Sequence, residues 1–88
     1  MGNGELRDVL ATFWRKAQEA QDQGQDSQAR AWLEGIVELD EGDIDAWLAL
    51  ARLIPDAGER MQYYSEILQR SPGNLEAKQG LRKARRQL

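Results

Sequence analysis

Residues able to carry chemistry are sparse in this 88-residue chain. They form two sets, paired carboxylates in the middle and a run of cations at the end. Asp40 with Glu41, and Asp43 with Asp45, are oxygen donors of the kind that bind calcium. A calcium loop needs the pattern D-x-[DN]-x-[DN]-G and a later bidentate Glu, neither of which surrounds Gly42, and Asp43 is better explained as a helix cap. No metal is expected. The cations Lys78, Arg82, Lys83, Arg85 and Arg86 could meet phosphates. A sequence pI near 4.9 and the lack of interleaved aromatics for base stacking argue against nucleic acid. Histidine and cysteine are both absent, which removes the usual general base, the commonest zinc ligand, disulfides and thiolate chemistry. No nucleophile has an activating base beside it in the pattern, so neither catalysis nor a cofactor is expected.

Charge is unevenly spread. Ala17 to Asp45 holds nine acids against the single base Arg30, whereas from Asn74 onward five bases face only Glu76. A basic final helix thus follows an acidic body. Cations near a helix C-terminus suit the macrodipole and keep an end helix soluble, and the alternative is contact with an acidic partner. The start, MGNGELRDVL, has no basic segment followed by an apolar one, and Leu6 stands where a myristoylation signal needs Ser or Thr. No apolar run approaches the roughly 20 residues needed to span a bilayer, so the expectation is a soluble, cytoplasmic protein without membrane contact. The length suits one domain, 1–88, which buries only about 60 to 65% of the surface its unfolded chain exposes.

Positioning these residues falls to helices. Leu6, Val9, Leu10, Phe13, Ala17 and Ala20 recur at spacings of three and four, the stripe of an amphipathic helix over about 5–23 that Gly24 ends. Asp26 or Ser27 can cap a second helix (27–39) with the stripe Ala29, Trp32, Leu33, Ile36 and Val37. Gly42 can supply a left-handed residue closing it, and Asp43 can cap a third helix (44–54) carrying Ile44, Trp47, Leu48, Leu50, Ala51 and Ile54. Pro55 breaks that helix. Asp56 caps a fourth (57–70) through Met61, Tyr64, Ile67 and Leu68, and Asn74 caps a fifth (75–87) along Leu75, Ala77, Leu81, Ala84 and Leu88. No segment alternates as a strand would. Links this short predict neighbouring helices lying antiparallel.

The helices repeat. Ala31 to Leu50 and Gln62 to Leu81 are echoes 31 residues apart: Trp32-Leu33 recurs as Tyr63-Tyr64, Ile36-Val37 as Ile67-Leu68, and Gly42-Asp43-Ile44-Asp45-Ala46 as Gly73-Asn74-Leu75-Glu76-Ala77. Such a period marks stacked units, none of which buries its apolar face alone. Trp47, Leu50, Ala51 and Ile54, with Tyr64 and Pro72 later, resemble the tetratricopeptide repeat, W-x2-L-G-x2-Y then A-x3-F then Pro over about 34 residues. Phe13, Ala17, Ala20, Ala29, Leu33, Ile36 and Glu41 resemble the preceding unit, although Lys16 occupies a position usually held by Leu. Phe13 to Trp47 is 34 residues, but Trp47 to Lys78 is only 31, a shortfall best placed where Pro55 cuts the third helix. The AWLAL-type helix, tight turn and Tyr-rich helix look like a bacterial variant. Lys78 and Arg82 replace the tryptophan and small residue of a third unit, so the fifth helix resembles a capping helix. The resemblance implies an all-α fold, five antiparallel helices in a right-handed superhelix of two repeats plus a cap.

It also implies a site. In that family the first helix of each unit lines a concave groove for a peptide or partner helix, which here maps to Ala11, Trp14, Gln18 and Gln21, then Asp45, Leu48 and Arg52. Trp14 pads the end of the stack or serves as an exposed aromatic anchor. Trp32 and Trp47 read as scaffold, and one of Tyr63 and Tyr64 as partly exposed. The acidic chaperone tails bound by some members need lysine and asparagine where Trp14 and Gln18 stand, leaving Arg52 a lone clamp. A more apolar partner, an amphipathic helix against Trp14 and Leu48, is expected instead. The leading functional expectation is a non-catalytic protein–protein interaction adaptor. The alternative is a self-associating homo-oligomeric subunit, with nucleic-acid contact through the basic helix behind both.

Overall fold

The computed structural model of the protein describes residues 3–88, and all regular structure among them is helical: α1 (Asn3–Asp22), α2 (Asp26–Leu39), α3 (Ile44–Leu53), α4 (Ala57–Arg70) and α5 (Leu75–Arg86). These bounds follow the expected ones to within two residues at each end. No described helix is long and apolar enough to cross a membrane. The helices group into two compact units, the first running through Glu41 and the second being Gly42–Leu88.

In the first unit, α1 packs on α2. Gly24 turns the chain between them with φ +73°, a left-handed conformation that costs glycine nothing and other residues about 1 kcal/mol or more. Phe13 and Trp32 meet edge to face with ring centroids 5.1 Å apart. Ala17, Ala20, Ala29, Leu33 and Ile36 are buried, the small residues allowing close approach and the large ones filling beside them. Two expectations fail here. The N-cap of α2 is Gln25, with no side-chain bond from Asp26 or Ser27 taking that role. Leu6 and Val9, placed on the core stripe by spacing, are 42% and 38% exposed.

In the second unit, α3 packs on α4 and α4 on α5. Each of the three helices starts at a side-chain cap: Asp43 Oδ1 accepts from the Ala46 amide at 3.1 Å, Asp56 Oδ2 from Glu59 at 2.8 Å, and Asn74 Oδ1 from Ala77 at 2.9 Å. Such caps satisfy amides that have no partner inside the helix, each stabilising by about 1 kcal/mol. Gly42 does not adopt the left-handed conformation expected of it, since Gly24 alone among the described residues has a positive φ. Before Pro55, Ile54 is extended, and α3 ends at Leu53. Arg60 from α4 takes up the carbonyls this break leaves open, its Nη1 donating to Ile54 O at 2.8 Å and Pro55 O at 2.7 Å. The core joins Leu48, Ala51, Tyr64, Ile67 and Ala77, flanked by partly buried Ile44, Trp47, Tyr63, Leu68 and Leu81. Leu75 and Leu88, expected on the core stripe of α5, are 66% and 77% exposed.

Candidate functional site

The residues mapped to a groove divide between the units. On α1, Gln18 and Gln21 are exposed and Trp14 is partly buried, and these positions recur at spacings of four and three on one face. Gln18 Nε2 donates to Asp22 Oδ1 at 3.0 Å, which engages its amide within the helix. On α3, Asp45 is exposed in the first turn, but Leu48 is only 7% exposed and belongs to the core described above. Its neighbours Ala51, Tyr64, Ile67 and Ala77 leave it little surface for a ligand.

Arg52 is held from α5. Its Nε and Nη2 donate to the two carboxylate oxygens of Glu76 at 2.8 and 2.6 Å, a planar fork meeting a planar acceptor. That hydrogen bonding raises the Arg52 pKa and lowers that of Glu76, outweighing the opposite effect of partial burial on each. Both side chains remain substantially exposed, at 57% and 41%, so water screens the pair and its contribution to stability is below about 1 kcal/mol.

A surface that spacing alone did not single out lies along α4. Gly58, Met61, Gln62, Ser65 and Glu66 recur at spacings of three and four on one face of the helix, and all five line one pocket of the second unit. Trp47, Tyr63 and Leu88 join them to form an open groove of about 920 Å³. Trp47 and Tyr63 stand with ring centroids 5.6 Å apart and tilted by 56°. The Arg70 guanidinium lies 5.0 Å from the Trp47 ring centroid and also binds Glu66 at 2.7 Å, so the indole is fixed by a cation that is itself fixed. The sequence assigned Met61 to the buried stripe of α4, but it is only partly buried. The available signal was the small pair Gly58 and Ser65 seven residues apart on the same face as Met61 and Gln62.

Lys78, Arg82, Lys83, Arg85 and Arg86 are all exposed on α5, and none forms an ion pair among the described residues. Lys83 differs from the others in facing a second, smaller pocket of about 350 Å³ together with Arg52, Arg60, Tyr64, Gly80 and Gln87. Among the described residues no group of three or more acidic side chains is placed to hold a metal ion. No family model matches this chain, and no curated protein matches it.

Proposed function

We propose that this chain is a non-catalytic, cytoplasmic interaction module of the tetratricopeptide type that binds an amphipathic helix of a partner protein. Its seat is the face of α4 that lines the larger groove of the second unit. The observation that carries this reading is the groove itself, which small Gly58 and Ser65 line beside the apolar and aromatic side chains of Trp47, Met61, Tyr63 and Leu88. A helix backbone approaches closely only where the facing residues are small, and large rims then grip its side chains. Half-buried aromatics such as Trp47 and Tyr63 are the residue types that dominate binding energy. The repeat reading is supported by the burial of Leu50, Ala51 and Ile54 after Trp47, and by the five-helix order. The chemistry argues the same way, since the chain has neither histidine nor cysteine.

The test is selection of displayed helical peptides on the intact protein, followed by titration of the winners against Met61→Glu, Trp14→Ala and the unaltered chain. Helices whose affinity falls at least tenfold with Met61→Glu support the α4 seat. Winners sensitive to Trp14→Ala and indifferent to Met61→Glu would move the seat to α1. Failure to select any helix, or sedimentation showing that a second copy occupies the groove, would overturn the reading.

A further inference from the structure

The smaller pocket of the second unit has the composition of an anion receptor. Its rim carries three cations, Arg52 from α3, Arg60 from α4 and Lys83 from α5. Arg52 is paired with Glu76 and also feels Asp45, while Arg60 and Lys83, the other two lining cations, are a surplus of two positive charges without an ion-pair partner among the described residues. The donors differ in how they are held. Arg60 is immobilised by the Ile54 and Pro55 carbonyls and by Gln87 Oε1, so its charge is fixed beside the pocket. The Gln87 side chain, having accepted from Arg60 through its oxygen, keeps its amide hydrogens available. Lys83 has no ion-pair partner among the described residues.

Tyr64 supplies an independent observation. It is 8% exposed, its ring sealed against Gly80, yet its hydroxyl makes no hydrogen bond among the described residues. No described side-chain nitrogen or oxygen that is fully sealed from solvent lacks a partner, so this unpaired hydroxyl must reach an opening. The opening its ring lines is this pocket. The Tyr64 phenol, with its donor unused, thus lines one pocket together with Arg60, Lys83 and the Gln87 amide.

We propose that this pocket binds a phosphate dianion, free or as a monoester. The charge decides among anions: a phosphate group carries about −1.5 to −2 at pH 7, matching the surplus, whereas a carboxylate would neutralise only half of it. Phosphate also offers three or four acceptor oxygens for the Tyr64 hydroxyl, the Lys83 ammonium, the Gln87 amide and the free edge of the Arg60 guanidinium. The inference stands apart from the helix-binding reading, which uses a different surface.

The experiment is a titration of the full chain with inorganic phosphate, and separately with phenyl phosphate, followed through the Gln87 amide and Arg60 Nε–H signals in ¹H–¹⁵N spectra. The Gln18 amide serves as reference, and acetate at matched ionic strength as control. Saturable shifts at Gln87 and Arg60 with phosphate are expected, weakened about tenfold by Lys83→Ala, which removes one charge-assisted bond from an exposed position. Tyr64→Phe keeps the ring and should weaken binding about threefold or more while leaving the helical spectrum unchanged. Binding of phenyl phosphate as well as the free ion identifies an ester ligand, and binding of the free ion alone identifies inorganic phosphate. Shifts that match those with acetate, or an affinity unmoved by Lys83→Ala, would overturn the proposal.

Discussion

Replacing Gly80 with alanine sets two known effects against each other. Gly80 lies inside α5, where glycine is about 1 kcal/mol less favourable than alanine, so propensity alone predicts stabilisation. Packing predicts the reverse. A Cβ at this position would stand 2.6 Å from both Tyr64 Cε atoms, with Cζ nearer still. Optimal carbon contacts lie near 3.5–4.0 Å, so all three approaches are repulsive. On its core side the ring meets Ala51, Ile67 and Ala77, each fully buried, so any retreat must be made toward the smaller pocket at the expense of these contacts. Overpacking a core of this kind costs about 1–3 kcal/mol, and the rigid ring puts this site in the upper part of that range. After the propensity gain the net loss is about 1–2 kcal/mol, which lowers the midpoint by about 4–8 °C per kcal/mol in a chain of this size. Urea and thermal unfolding followed by circular dichroism would measure it. In a Tyr64→Leu background the same substitution should become neutral or stabilising, giving a coupling energy of about 1–3 kcal/mol. A Gly80→Ala protein more stable than the parent, with Tyr64 in place, would refute the reasoning.

Two further outcomes follow from other positions. The lowered Glu76 pKa means that its contribution is present above the ordinary carboxylate range and lost as pH falls through the folded-state value, so Glu76→Gln should cost under about 1 kcal/mol at pH 7 and progressively less as the solution is acidified below the ordinary carboxylate range. Chemical denaturation of both proteins across that range checks the sign. Gly24→Ala must place a side chain at φ +73° and should destabilise by about 1–2 kcal/mol, seen as a lower urea midpoint with an unchanged slope.

Local rules carried the sequence a long way in the second unit. Asp43, Asp56 and Asn74 are short polar side chains immediately before apolar periodic runs, and each forms the bond its position implies. Pro55 likewise acts through its immediate neighbour. What escaped was set by residues far apart in the chain. The pairing of Arg52 with Glu76 spans 24 positions and that of Arg60 with Gln87 spans 27, and neither periodicity nor propensity reports on such distances. Spacing also fixes which residues share a helix face without saying how far along the helix the neighbouring element reaches. Leu6 and Val9 continue the apolar stripe of α1 but lie exposed, whereas Leu48, mapped to an open groove, is covered by its own unit. Gln25 precedes α2 without a side-chain bond although Asp26 and Ser27 stood ready.

The clasp that Arg60 makes on the Ile54 and Pro55 carbonyls bears on how the chain meets a protease. Trypsin must draw an arginine side chain into its own pocket and stretch the flanking backbone, and Arg60 yields to neither while it holds the corner closed. Arg82, Arg85 and Arg86 are exposed on the last helix with no such tether among the described residues. Digestion should therefore trim α5 first and cut at Arg60 only in molecules whose corner has opened. The rate of that single cleavage then measures how often a helix shortened by proline comes undone.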